Sequence, residues 1–378
     1  MIETVSIVVS REGVAQLLAA LGDEGRTVLG PTERDGAIVI DELDGLHDLP
    51  IGRGDDQAPG RYRVTDRGDG ALFGFTVGPQ SFRQHLFPPR TLLVRTRRTG
   101  DGFEVEQSDP VAPPTVLFGV RPCELRAIEV QDRVFGGEHA DPTYRARRDA
   151  ATVVVAQCTE VADTCFCTSM GGNPRAEGGF DLAVTELAPG GDLLVEIGSE
   201  GGRRLLADVA HRPATDDEVA AARRRTDQAA DRITRRVDAD ALPELLAATL
   251  EHPRWDDVAE RCLHCASCTM VCPTCFCSAV EDTTDLTGDH AERWRRWDSC
   301  FTLGHSELHG GATRTTPVSR YRQWLTHKFG TWHDQFGESG CVGCGRCITW
   351  CPVGIDVTEE LAALAVAPPE PGPEEAPS

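Results

Sequence analysis

Residues 262–273 read CLHCASCTMVCP, and residues 341–352 repeat the same cysteine spacing as CVGCGRCITWCP. Both runs match C-x2-C-x2-C-x3-C-P, a ligand pattern of [4Fe–4S] clusters. Three cysteines at i, i+3 and i+6 let one tight loop surround a cubane, and the proline ends that loop. Zinc is the main alternative, but zinc sites normally use two pairs of cysteines set well apart. We therefore expect two [4Fe–4S] clusters.

In paired runs of this kind, the fourth cysteine of each run ligates the cluster of the other run. The first predicted ligand set is Cys262, Cys265, Cys268 and Cys351. The second predicted ligand set is Cys341, Cys344, Cys347 and Cys272. The crossing is an inference from the motif, since spacing alone does not establish it. We expect His264, inside the first loop, to be a neighbour of the cluster rather than a ligand.

The segment between the runs indicates the kind of domain that holds them. The runs begin 79 positions apart, at 262 and 341, which is too far for the compact β-hairpin ferredoxin. Helical spacing at Arg320–Phe329 and the lack of clear hairpin turns predict that helices dominate from Trp255 to Val366. We expect residues 251–366 to form an α-helical, ferredoxin-like domain with two clusters. The Pro- and Glu-rich residues 367–378 are predicted to form a disordered acidic tail.

Toward the N-terminus, short β-rich segments alternate with helical ones. β-Branched residues bounded by Gly, Pro or Asp predict strands at Ser6–Ser10, Ala37–Ile40, Leu92–Arg95, Val116–Val120, Thr152–Ala156 and Leu193–Ile197. Helical spacing predicts helices at Gly13–Leu21 and Glu124–Phe135. Residues 1–204 are thus expected to form a mixed α/β domain. Residues 205–250 are expected to form a helical junction, with helices at Asp216–Arg235 and Ala241–Leu250. The predicted fold class is α+β.

Four further cysteines follow two of the predicted strands. Cys123 lies where one predicted strand turns into a helix, and Cys158, Cys165 and Cys167 come after the next strand. Ligand sites gather at strand ends of α/β sheets, so these four side chains predict a third [4Fe–4S] site. A group of buried free thiols is the alternative, because cysteine is among the most buried residue types.

Cys275, Cys277 and Cys300 make only three ligands. A fourth could come from His305 or His309, or there is no cluster at this place. The burial tendency of cysteine favours structural thiols close to the other clusters.

The composition narrows the functional classes. The chain has 378 residues, a net charge of −22 and 15 cysteines. Nucleic-acid binding needs clustered positive charge, so we expect no nucleic-acid partner. Without a secretory signal or a long apolar run, we expect a cytoplasmic protein that does not enter a membrane. The segment from His290 to His333 has seven basic and three acidic residues, which either offset cluster charge or form a solvated basic face. Lys328 is the one lysine, which we attribute to codon usage.

Several stretches outside the cluster runs resemble one family. They are Gly78-Pro-Gln-Ser-Phe-Arg, Leu86-Phe-Pro-Pro, Phe118-Gly-Val-Arg-Pro-Cys, Asp132-Arg-Val-Phe, Thr164-Cys-Phe-Cys-Thr-Ser-Met-Gly, Pro273-Thr-Cys-Phe-Cys and Trp297-Asp-Ser-Cys-Phe. With the cluster runs, they resemble the iron–sulfur β subunit of group 3b [NiFe] hydrogenases, also called sulfhydrogenases. The chain is similar, a little more distantly, to the A-subunit of anaerobic sulfite reductase.

The resemblance implies a function and a set of partners. The chain would be the electron-transfer subunit of a cytoplasmic, NAD(P)-linked complex. Its partners would be the [NiFe] large subunit, a small iron–sulfur subunit, and a flavin subunit that binds FAD and NAD(P). We expect no catalytic residue in this chain and no cofactor in it beyond the clusters, since it has neither a dinucleotide fingerprint nor a P-loop. Two alternatives stay open, namely a self-contained iron–sulfur flavoenzyme and the sulfite reductase subunit.

Overall fold

The structure, a computed structural model, describes residues 5–107 and 110–366. The predicted tail at 367–378 lies outside these residues. The strands are β1 (Val5–Val9), β2 (Thr27–Arg34), β3 (Ala37–Glu42), β4 (Arg53–Ala58), β5 (Arg61–Asp66), β6 (Arg90–Thr99), β7 (Gly102–Gln107), β8 (Thr115–Val120), β9 (Ala151–Ala156), β10 (Leu182–Glu186), β11 (Leu193–Ile197), β12 (His211–Pro213), β13 (Ser278–Thr284), β14 (His290–Trp297), β15 (Glu307–Leu308) and β16 (Gly311–Ala312). The helices are α1 (Arg11–Asp23), α2 (Arg83–Leu86), α3 (Pro122–Phe135), α4 (Pro142–Asp149), α5 (Glu200–Leu205), α6 (Asp216–Asp231), α7 (Leu242–Ala248), α8 (Arg254–Arg261), α9 (Ser267–Met270), α10 (Pro317–Thr326), α11 (Trp332–Phe336), α12 (Arg346–Thr349) and α13 (Val357–Leu364).

The N-terminal part is built on one mixed sheet of eight strands, in the order β12-β1-β11-β10-β9-β8-β2-β3. The neighbours among β2, β8, β9 and β10 run parallel, and the outer pairs run antiparallel. Parallel strands are covered on both faces, which explains why β8 and β9 are nearly continuous apolar runs. The six strands and two helices predicted in this part are confirmed, with ends that differ by a few residues.

Helices cover the two faces of this sheet. Ser10 accepts a hydrogen bond from the Gly13 backbone N–H and starts α1, which buries Leu17 and Leu21 against one face. Helix α3 begins with Pro122 at its first position and buries Leu125 against the other face. The start of α3 is thereby fixed at the carboxyl end of β8, where Cys123 lies.

A β-hairpin lies between the two cysteine runs. Strands β13 and β14 pair with each other, and β14 pairs with β6, giving a four-stranded sheet in the order β13-β14-β6-β7. The prediction that helices dominate from Trp255 to Val366 is therefore wrong for residues 278–297. Apolar alternation is weak in these strands because many of their facing side chains are charged, as in the pairs Arg293–Asp282 (2.7 Å) and Arg95–Glu292 (2.9 Å).

The segment 205–250 contacts both the main sheet and the hydrophobic core of the C-terminal part. Helix α6 packs Ala222 against Val8 and Leu194 of the main sheet. Helix α7 places Leu242 and Leu246 in the core of the C-terminal part. Both predicted helices are present, and the same segment also contains β12, which pairs with β1.

The C-terminal core also contains residues of the N-terminal part. Phe166 and Met170 pack with its aromatic residues, among them Trp255 and Trp324. Arg346, fully buried, donates hydrogen bonds to the Glu124 carboxylate at 2.8 Å and to the Gly78 carbonyl at 2.8 Å. Because a buried charge is costly without partners, these contacts fix the second cysteine run against the end of the main sheet.

Candidate iron–sulfur centres

The first cysteine run forms a tight loop between α8 and α9. Cys262 ends α8, and the chain then turns through His264 (φ 52°) and Ala266 (φ 63°), both left-handed. Left-handed backbone is uncommon outside glycine, so this loop is held by its surroundings. The turn directs the His264 N–H to the Cys262 Sγ at 3.4 Å. His264 thus lies beside the predicted ligands.

The second run repeats this backbone with glycines. Gly343 (φ 67°) and Gly345 (φ 78°) occupy the positions that correspond to His264 and Ala266. A Cβ on Gly343 would lie 2.6 Å from the Cys167 backbone, and one on Gly345 would lie 2.4 Å from the Thr164 carbonyl oxygen. Glycine is therefore needed at both positions, because the loop that carries Cys165 and Cys167 packs directly against this run.

The first predicted ligand set lines one cavity. The cavity is apolar, and it is lined by Cys262, Cys265, Cys268 and Cys351, by Cys347 of the second set, and by Phe301, Tyr321, Trp324, Ile355 and Val357. The four thiols of the first set around an apolar space fit a [4Fe–4S] cluster, and Cys347 marks where the second set adjoins it. The crossing of the fourth cysteine agrees with this geometry, and ligation itself stays a prediction.

The second predicted set is also brought together. Cys341, Cys344 and Cys347 lie close enough to one another and to Cys272 for their charges to interact. Burial raises the pKa of the Cys341 thiol to about 12. A thiol kept neutral by burial gives up its proton readily only when a metal takes the charge.

The third predicted set gathers at the ends of β8 and β9. Cys123, Cys158, Cys165 and Cys167 interact with one another, and three of them also interact with Cys344 of the second set. Burial raises the pKa of the Cys167 thiol to about 12. The parallel pairing of β8 with β9 explains the meeting, since parallel strands end at the same edge of a sheet. The three sets lie in the order first, second, third.

A buried lysine lies beside the second set, and the sequence did not predict its position there. Lys328 donates hydrogen bonds to the Cys272 Sγ (3.4 Å), the Thr274 Oγ1 (3.0 Å) and the Gly340 carbonyl (3.0 Å). Burial acts to lower the pKa of Lys328, but the nearby cysteine thiolates outweigh burial and raise it. Lys328 is the only lysine in the sequence, and this was the feature that could have identified it. The explanation by codon usage missed its contact with Cys272.

Most of the other basic residues between His290 and His333 pair with acidic side chains and do not lie beside the predicted cluster ligands. Arg293 and Arg296 pair with acidic residues of β13, and Arg295 pairs with Asp141. Arg320 is the exception beside Lys328, since it lies near Cys262. Arg293 and Arg296 are exposed, as on a solvated face, whereas Arg295 is largely buried; within this segment, Arg320 and Lys328 are the cations that lie near the predicted ligands.

The three remaining cysteines also lie together. Cys277 lies close to Cys300 and His305, and Cys275 lies near Cys277. His309 is exposed in the turn between β15 and β16. Of the two histidines considered, only His305 is near these thiols.

The cysteine sets are not arranged as sites for a single metal ion. Among residues 5–107 and 110–366, no three His, Cys, Asp or Glu side chains are spaced to bind one ion. A cubane presents a separate iron atom to each ligand, so its ligands need not meet at one point. No helix within the same residues has the length and apolar character to cross a membrane.

Comparisons with known proteins agree with this geometry. Residues 261–355 match the family described as a 4Fe-4S dicluster domain. The chain is similar to the sulfhydrogenase 2 subunit beta of Pyrococcus furiosus, with 31% identity over 288 residues that cover 74% of this chain and 83% of that protein. No solved structure matches the chain.

Proposed function

Because the chain belongs to the family of sulfhydrogenase beta subunits, an iron–sulfur electron-transfer family, we propose that it relays electrons within a cytoplasmic, NAD(P)-linked [NiFe] hydrogenase. In this proposal the three cysteine sets each hold one [4Fe–4S] cluster. Its partners are the [NiFe] large subunit, a small iron–sulfur subunit, and a flavin subunit that carries FAD and binds NAD(P).

The observation that supports the relay most directly is the position of Cys344. This residue belongs to the second set and interacts with Cys123, Cys165 and Cys167 of the third. On the other side, Cys347 of the second set interacts with Cys268 of the first. Each set is thus adjacent to the next, so clusters held by them would lie in a line along which electrons can pass.

One end of this line is open to a partner. The Cys265 thiol is exposed, whereas Cys344 in the middle set is buried. A cluster bound at Cys265 would therefore lie near the surface, where an electron can enter from or leave to a neighbouring subunit. The middle set, which contains the buried Cys344, lies between the other two sets.

The test is to purify the complex anaerobically through a tag on this chain. We expect the [NiFe] large subunit, the small subunit, and a flavin subunit to co-purify, and hydrogen to reduce NAD(P)⁺. Recovery of a sirohaem protein in place of the [NiFe] subunit would assign the chain to a sulfite reductase. Stoichiometric FMN or FAD in the isolated chain would refute a role limited to electron relay.

A variant tests the third cluster separately. Cys165→Ser should lower the iron content of the isolated chain by about four atoms, because serine oxygen is a poorer ligand for iron–sulfur clusters than thiolate. An unchanged iron content would remove the third cluster from the relay and leave the first two.

A further inference from the structure

A fourth group of metal-binding side chains lies beside the hairpin β13–β14. The Cys277 thiol lies close to the Cys300 thiol and the His305 imidazole. Cys275 lies beside both Cys277 and Cys272. We propose that Cys275, Cys277, Cys300 and His305 hold a fourth iron–sulfur cluster, beyond the three of the proposed relay.

The hairpin brings the cysteines of this group together. Ser278 pairs with Trp297 at the open end of β13–β14. One residue further out, the Asp298 N–H donates a hydrogen bond to the Cys277 carbonyl at 2.8 Å. Strand pairing thus aligns the chain at Cys277 with the chain that leads to Cys300, although the two cysteines are far apart in sequence.

A buried arginine fixes the chain around Cys275. Arg83 donates hydrogen bonds to the carbonyl oxygens of Cys275 (2.7 Å) and Met270 (2.8 Å). Its guanidinium also lies 3.5 Å from the centre of the Trp297 ring. These contacts hold the segment rigid, which a ligand site needs if its geometry is to be set before the metal arrives.

His305 is oriented as a metal ligand would be. Its Nδ1 is 3.1 Å from the Asp298 Oδ2, and both side chains are largely buried. Metal-binding histidines typically direct one ring nitrogen to a carboxylate, which fixes the ring and makes the other nitrogen a better ligand. With Nδ1 held by Asp298, Nε2 is the nitrogen left to bind.

An iron–sulfur cluster is the cofactor class that this group favours. Thiolate and imidazole suit zinc, copper(I) and iron–sulfur clusters, and mixed cysteine and histidine ligation occurs in Rieske centres. No three described side chains are spaced for a single ion, whereas cluster ligands bind at separate iron atoms. Ligation of a preformed cluster releases one proton from each of the three thiols and transfers no electron.

The position of the group gives it a role. Cys300 lies near Cys268 of the first set, and Cys275 lies near Cys272 of the second. A cluster here would therefore lie next to both ferredoxin-type clusters. It would provide a branch from the relay toward the hairpin side of the protein.

Iron counting on the full chain, reconstituted anaerobically with iron and sulfide, tests the proposal. Four clusters require about sixteen irons per chain, and Cys277→Ser should lose about four of them, a quarter of the total. Ser278→Ala, at the next position, should lose none. Cys165→Ser removes a different cluster, so a failure of this proposal is distinct from a failure of the three-cluster relay.

A spectroscopic measurement keeps the proposal testable if Cys277→Ser does not fold. Pulsed EPR of the chain labelled with ¹⁵N-histidine should detect a nitrogen bonded to a cluster, and His305→Cys should retain the iron and lose that signal. The proposal is overturned if Cys277→Ser keeps all its iron, if the wild-type chain shows no bonded nitrogen, or if the group holds zinc or a Cys277–Cys300 disulfide.

Discussion

Replacing Lys328 with methionine should lower the reduction potential of the cluster proposed at Cys272 by about 120 mV. The ammonium group lies 3.4 Å from the Cys272 Sγ, and only 6% of the residue is exposed, so solvent screens its charge little. Reduction adds one negative charge to the cluster, and a buried positive charge stabilises that state. Loss of the positive charge therefore disfavours reduction.

The magnitude follows from Coulomb's law. The added electron spreads over the cluster, so its effective distance from the ammonium is about 6 Å, and at an effective dielectric constant of about 20 the interaction is about 3 kcal/mol. For a one-electron couple this energy corresponds to roughly 120 mV. Lys328→Arg keeps the charge and should shift the potential by less than about a third of this value.

An EPR-monitored redox titration of the full chain measures this shift. Iron content must match the wild type, so that the change reflects the charge and not a lost cluster. If Lys328→Met has a potential within about 20 mV of the wild type, the electrostatic reasoning is wrong. If Lys328→Arg shifts as far as Lys328→Met, hydrogen-bond geometry rather than charge sets the potential.

Three further substitutions test other contacts. Cys344→Ser should lower the iron content by about four atoms and block electron flow, and normal iron with normal turnover would show that Cys344 is not a ligand. Arg346→Met leaves the Glu124 carboxylate buried without its partner and should cost about 3–5 kcal/mol, seen as a lower apparent unfolding midpoint that Arg346→Met with Glu124→Gln partly restores. Thr215→Ala removes the N-cap of α6 and should destabilise this helix by about 1 kcal/mol, measured by hydrogen exchange, whereas Thr215→Ser should be nearly neutral.

The proposed fourth centre changes how the extension after the first run is interpreted. Cys275 and Cys277 follow Cys272 by three and five positions. The sequence favoured structural thiols for them because it offered only three cysteines. The structure adds His305, held by Asp298, as the proposed fourth ligand, which sequence spacing could not select over His309.

The sequence by itself determined the two cluster runs and the strands of the N-terminal part. Both are local patterns: ligand spacing within a loop, and apolar β-branched segments between turn residues. It also placed Cys123 and Cys158 just beyond the ends of two successive apolar strands, and the parallel pairing of those strands came from the structure. These features depend on residues that are close together in the chain.

Only the tertiary structure decided the features that depend on residues far apart in sequence. The strands β13 and β14 are stabilised by charged cross-strand pairs and by pairing with β6, so their apolar pattern is weak. The contact of Lys328 with Cys272 and the meeting of Cys277 with His305 likewise arise from packing between separate segments. Local propensity carries no information about such contacts, because the energy that fixes them appears only when the chain is folded.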